Sequence, residues 1–181
     1  MSNAELPNTV DPYKLAEQSS VLKGGVPLKA LDRFSGCVSG IAEGGQCQVT
    51  LSFSMDDERR RVVSGELEAD VELECQRCMS PMSVTLTSQF RLGLVTSDEQ
   101  AQQLPKELEP FLTDDFIADL WVMVEDELLL VLPPFPVHEL GECPAREQLQ
   151  ELEVGDSEPE ASAPERENPF SVLAGLKTKK H

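Results

Sequence analysis

Between residues 46 and 94 apolar and polar side chains alternate with a period of two over three separate stretches, and few folds accommodate that pattern. From Gln46 to Met55 the apolar positions are Cys47, Val49, Leu51, Phe53 and Met55, with Gln46, Gln48, Thr50, Ser52 and Ser54 between them. From Glu66 to Glu74, Leu67, Ala69, Val71 and Leu73 share one phase, and Glu66, Glu68, Asp70, Glu72 and Glu74 share the other. From Ser83 to Leu94, Val84, Leu86, Phe90, Leu92 and Leu94 hold one phase against Ser83, Thr85, Thr87, Gln89 and Arg91. Successive side chains of a strand point to opposite faces, so this alternation predicts an antiparallel sheet with one wet face. Glu43-Gly44-Gly45 and Asp56-Asp57-Glu58 are the expected turns. Phe34 to Ile41 is expected to add a strand. Five carboxylates on one strand face repel one another unless cations lie opposite, and Arg59–Arg61 and Arg91 are the candidates. The competing reading is a solvated acidic face, and the functional one is an acidic docking surface.

Helices are expected on either side of these strands. Asp11 can cap a short helix over 12–19, with Pro12 at its first position, and Gly24, Gly25 and Pro27 end it. A further helical turn is expected near Leu28 to Leu31. Asp98 to Gln103 reads as a short helix stopped before Pro105, and Leu104 to Pro110 as loop. Asp119 to Leu132 reads as a long helix, stopped by Pro133 and Pro134. Leu120, Trp121, Val124, Leu128 and Val131 lie near one side of it, and Glu125, Asp126 and Glu127 cluster elsewhere. The expected fold is α+β: an antiparallel β-meander or partly closed barrel packed by that helix. Residues 1–143 form the single domain in this reading. Residues 144–167, rich in Glu, Ser, Ala and Pro, are a flexible acidic linker, disordered in isolation. Residues 168–181 are a short docking segment. In it Asn168 caps, Pro169 opens a turn, and Phe170, Leu173 and Leu176 make an apolar stripe. So short a helix must dock to be stable, on its own domain or on a partner.

The chain of 181 residues carries a net charge of −18, unevenly spread. Residues 97–127 hold 10 acids and 1 base, and residues 139–165 hold 9 acids and 1 base. Nucleic-acid binders gain affinity by neutralising phosphates with clustered cations. Here the clusters are only Arg59–Arg61 and Lys177, Lys179 and Lys180. Broad direct RNA binding is disfavoured, and a basic protein partner fits the sign. Acidity that serves solubility alone is the competing reading. Met1 to Asp11 lacks the basic and apolar regions of a secretion signal. The longest nearly unbroken apolar run, Leu128 to Val137, falls short of the ~20 residues of a membrane span. A cytoplasmic location without membrane contact is expected, with the five cysteines reduced.

Cys75-Gln76-Arg77-Cys78 falls in the turn between two expected strands. Two thiolates so spaced can point at one centre, half of a zinc site, and His138 with Cys143 can supply the other half. Three readings stay open: structural zinc on Cys75, Cys78, His138 and Cys143; a reduced pair without metal; and a thiol-redox pair. The redox reading wants a helix N-terminus, and Glu74 beside the pair is expected to raise the thiol pKa. Cys47 reads as a core residue. No catalytic constellation or phosphate-cradling glycine loop is present, so neither an enzyme nor a small-molecule substrate is expected.

Several motifs resemble the YceD family in order along the chain. They are Leu73-Glu74-Cys75-Gln76-Arg77-Cys78, Asp119-Leu120 with Val124-Glu125-Asp126-Glu127-Leu128-Leu129-Leu130 and Leu132-Pro133, Pro136-Val137-His138 with Cys143, and Asn168-Pro169-Phe170 through Leu173 and Leu176. The resemblance implies a bacterial ribosome biogenesis factor that promotes synthesis, processing or stability of 23S ribosomal RNA, with no catalytic residues. Joined to the charge, it implies a basic ribosomal protein or assembly factor as partner. A thiol-redox protein and an acidic mimic of nucleic acid are the alternatives.

Overall fold

The alternating stretches become the long strands of one open sheet. The computed structural model describes residues 4–114, 116–146 and 150. Within them β1 is Thr9–Val10, α1 Pro12–Glu17, β2 Val21–Pro27, α2 Asp32–Ser35, β3 Gln46–Met55, β4 Arg61–Glu74, β5 Pro81–Val95, α3 Asp98–Ala101, β6 Glu109–Leu112, β7 Ala118–Asp119 and α4 Leu120–Leu130. The sheet runs β2-β3-β4-β5-β6; β2 to β5 form an antiparallel meander, and β6 joins β5 in parallel. The barrel alternative is therefore corrected, because β2 and β6 are the two edges and do not pair with each other. The expected linker over 144–167 and docking segment over 168–181 lie, but for residues 144–146 and 150, outside the described residues.

The alternation sorts the faces as period two requires. Val49, Leu51, Phe53, Val63, Leu67, Ala69, Val71, Leu73, Leu86, Leu92 and Leu94 join one buried cluster. Helix α4 lies over that face and contributes Leu120, Met123, Val124 and Leu128, completing a two-layer α+β body. Asp119 caps it, its carboxylate accepting from the N–H groups of Trp121 and Val122 at 3.0 Å each. Among the described residues no helix is long and apolar enough to cross a membrane.

Four expectations about elements need correction. Gly24 to Pro27 does not simply end α1 but lies in β2. Glycine is needed there because the N-terminal segment crosses it: Gly25 N–H donates to Ala4 O at 3.0 Å, and a Cβ on Gly24 would stand 2.7 Å from that oxygen. The stretch Phe34 to Ile41 is not a strand. Its start belongs to α2, and only Gly40 pairs, as an isolated bridge to Glu72. Leu104 to Pro110 is not all loop, since Glu109 and Pro110 open β6, an edge position where a proline costs no ladder bond. Finally, the carboxylates of α4 are not all surface. Glu125 and Glu127 are each only 7% exposed.

Burial pushes both carboxyls up, but only at Glu127 does it prevail. Burial and the nearby Glu109 carboxylate push the Glu127 carboxyl above its ordinary value; Asp126 adds to this, and the Ser88 hydroxyl, 3.4 Å away, offsets a part. A native state that favours the protonated acid is weakened once pH rises through the raised value. Glu127→Gln is therefore expected to raise the melting temperature at pH 7. The gain should vanish near pH 4, where Glu127 keeps its proton, and a melting series over that range checks it.

Candidate functional site

The β4–β5 hairpin closes with six residues, Cys75 to Ser80. Cys75 N–H donates to Ser80 O at 3.0 Å, and Met79 N–H donates to Cys75 O at 2.8 Å. Met79 holds φ of 57°, the left-handed conformation that turns the chain into β5. Cys75 and Cys78 thus sit on the inner side of one tight turn. The chain leaving α4 runs back over it. Its prolines have no N–H to offer, so the segment presents carbonyls, and the hairpin supplies the donors. Gln76 N–H reaches Pro136 O at 2.9 Å, the Gln76 amide reaches Pro134 O at 3.4 Å, and the Arg77 guanidinium donates to His138 O. A second turn then carries His138 and Cys143 on its two flanks, closed by Cys143 N–H to Glu139 O at 3.1 Å.

The outcome is a convergence of four ligand-type atoms from two segments about 60 residues apart in sequence. The Sγ atoms of Cys75, Cys78 and Cys143 and a ring nitrogen of His138 all lie within 4.8 Å of one another. Cys78 Sγ is 3.4 Å from His138 Nδ1. A zinc tetrahedron with bonds of about 2.0–2.3 Å places its ligands roughly 3.5–3.8 Å apart, so small movements complete it. Cys75 is fully buried and Cys143 is 4% exposed, while Cys78 and His138 are half-buried. No disulfide joins the described cysteines.

The electrostatics differ from the sequence expectation. Burial pushes the Cys75 thiol up, but N–H groups of His138, Cys78 and Arg77 directed at it outweigh that and hold it down at about 5. His138 N–H stands 3.4 Å from the sulfur. The side chain of Glu74 falls on the opposite, exposed face of β4 and is absent from the groups that shift the thiol. Cys47 is the core residue its phase predicts, its thiol pushed up to about 12 by burial. Sequence reading missed Gln76 and Arg77, which hold the two halves together. Their position between the cysteines was the only signal.

The second feature is the outer sheet face. Glu66, Glu68, Asp70, Glu72 and Glu74 form an exposed stripe along β4. The expected arginines do not lie across from it. The residues paired with the stripe on β5 are Gln89, Thr87, Thr85, Ser83 and Pro81, and on β3 Thr50 and Gln48. Arg60 is engaged by Asp56 and Glu58, and Arg61 by Glu17. None of the five acids has an ion-pair partner among the described residues. A trough of about 570 Å³ crosses this face, with Lys23, Gln48, Thr50, Glu66, Glu68 and Gln89 in its walls. The candidate docking residues Asn168, Pro169, Phe170, Leu173 and Leu176 lie outside the described residues.

Comparison with known proteins gives a consistent result. Residues 63–177 match the family described as "Large ribosomal RNA subunit accumulation protein YceD". A protein of that same name from Haemophilus influenzae is 39% identical over 180 residues, covering 99% of this chain and 100% of the relative. No solved structure matches the chain.

Proposed function

Because the chain belongs to the YceD family of large ribosomal RNA subunit accumulation proteins, we propose that it promotes the synthesis, processing or stability of 23S ribosomal RNA, and that it works by contacts rather than catalysis. The observation that carries the reading is the end-to-end similarity to a relative of that name. The charge supports the manner of action. A chain of net charge −18, with an exposed stripe of five carboxylates that make no ion pair among the described residues, repels phosphate and attracts basic protein. A basic ribosomal protein or assembly factor is the partner we assign to that face. The organisation we propose is a body over 1–143, an acidic linker over 144–167, and a docking segment at 168–181.

The metal part of the proposal is a structural zinc held by Cys75, Cys78, His138 and Cys143. Zinc supplies no chemistry in this role; it ties the hairpin turn to the segment after α4. The low thiol pKa of Cys75 also suits a redox pair. Its full burial, in a hairpin between two strands, favours metal.

A strain lacking the gene tests the function. Its ribosome profiles are expected to show large subunits depleted relative to small ones. The wild-type chain should restore them. A chain with Glu66→Gln, Glu68→Gln, Asp70→Asn and Glu72→Gln should fold and fail to restore them. Unchanged subunit ratios in the deletion strain would count against the role. Recovery of naked RNA without a basic protein in co-purification would count against the manner of action.

A further inference from the structure

We propose that Arg77 is a positioning residue of the metal centre: its guanidinium holds the His138 turn against the hairpin and balances the surplus negative charge of the ligand set. The inference rests on the zinc reading and adds to it a residue outside the four ligands. Arg77 lies between Cys75 and Cys78, yet its side chain turns toward the other half of the site. One terminal nitrogen donates to the carbonyl oxygen of His138. The adjoining Nε is buried and has no hydrogen-bond partner. A buried guanidinium N–H without an acceptor is unfavourable, so something other than that bond keeps the group where it is.

Charge supplies the reason. Three thiolates and one neutral imidazole around a divalent ion leave a net charge of about −1. Cys75 and Cys143 are buried and Cys78 and His138 half-buried, so water offsets only part of that surplus. A guanidinium carries a fixed positive charge and is weakly hydrated, which makes it the side chain best suited to sit beside such a centre. Geometry supplies the rest. Anchoring the His138 carbonyl fixes the backbone from which the imidazole projects, and Nδ1 faces Cys78 Sγ at 3.4 Å. Groups that hold a metal ligand in place in this way typically change metal affinity by about 10–100-fold when removed.

The test uses the full chain, with zinc affinity measured by competition with a chromophoric chelator and ligand geometry read from the absorption bands of the cobalt form. R77Q is expected to bind zinc about 10–100-fold more weakly and to shift the cobalt bands. R77K, which keeps the charge but loses the planar fork, is expected to fall between R77Q and the wild type. Circular dichroism of the metal-free chains should be alike for all three, which separates the effect from a general loosening of the fold. R77Q binding zinc within about twofold of the wild type overturns the proposal and leaves the four-ligand site standing. R77K as weak as R77Q overturns the charge-balancing role. A wild-type chain that takes up no zinc overturns the metal reading and this inference together.

Discussion

Cys75→Ser is expected to lower bound zinc from about one equivalent per chain to a small fraction of that after dialysis, since a closed tetrahedral site needs all four ligands. The structural consequence should be local. The hydrogen bonds that seat the segment after α4 run from Gln76 and Arg77 to the carbonyls of Pro134, Pro136 and His138, and from His138 N–H back to Cys75 Sγ. With the metal gone, those few bonds alone must order the segment. Structural zinc is worth about 10–16 kcal/mol of apparent binding energy in small zinc-finger peptides, where it drives folding outright. Here the core formed by β3, β4, β5 and α4 does not depend on the site, because none of the four ligands belongs to the main buried cluster. Hydrogen exchange is therefore expected to quicken by two orders of magnitude or more at the amides of Gln76, His138 and Cys143, while Leu51, Val63 and Leu67 keep their protection. Removal of zinc by a chelator should reproduce the pattern in the wild type. Substoichiometric metal in the wild-type chain, or full metal in Cys75→Ser, would remove zinc from the account.

What the sequence makes legible follows from which interactions are local. Strand β3 spans Gln46–Met55, the same limits as its alternating stretch, because each side chain's fate is decided by its own phase. Asp11 caps its helix as read, because a cap and its donor lie within a few residues, and Asp119, read as the first residue of its helix, caps that helix in the same way. The four metal-ligand candidates were readable from residue type and spacing, yet their meeting depended on the route of the intervening chain. The failures share one cause, a partner far away in sequence. Strand β6 has only four residues and a proline, and exists because β5 offers it a parallel edge. Arg59 to Arg61 looked available to the acidic stripe, but Asp56, Glu58 and Glu17 engage Arg60 and Arg61 first. The Val124-Glu125-Asp126-Glu127 run looks like a solvated patch to any local reading, and Asp32 to Ser35 has no helix cap of its own.

Those last two are halves of one device, and Glu125→Ala is expected to be the most destabilising single change in the sheet–helix body outside its apolar core. Helix α2 has Leu31 at its N-cap, which makes no side-chain capping bond. Its first N–H groups are instead satisfied from α4: Glu125 Oε1 accepts from Arg33 N–H at 2.7 Å and from Phe34 N–H at 3.1 Å. The other carboxylate oxygen accepts from the Arg33 guanidinium, at 2.8 Å from Nε and 2.6 Å from Nη2. Asp126 adds an ion pair to the same arginine at 2.7 Å. One acid thus serves as helix cap and as salt-bridge partner across 92 residues. Burial alone raises its pKa, but these donors prevail and hold the carboxyl below its ordinary value. Removing one member of a buried pair typically costs about 3–5 kcal/mol. The Arg33 side chain is 53% exposed and can return to water, so about 2–4 kcal/mol is the expected loss here, including the orphaned α2 amides. Because the folded pKa is depressed, the stabilisation is present above the ordinary value of 4.5 and fades as pH falls below it toward the lowered one. Denaturant unfolding should therefore show a large gap between wild type and Glu125→Ala at pH 7 that narrows steadily below pH 4.5, and Glu125→Gln, which keeps an acceptor but no charge, should lie between them. A gap that persists undiminished at low pH would mean that the carboxylate's charge is not what secures α2 to α4.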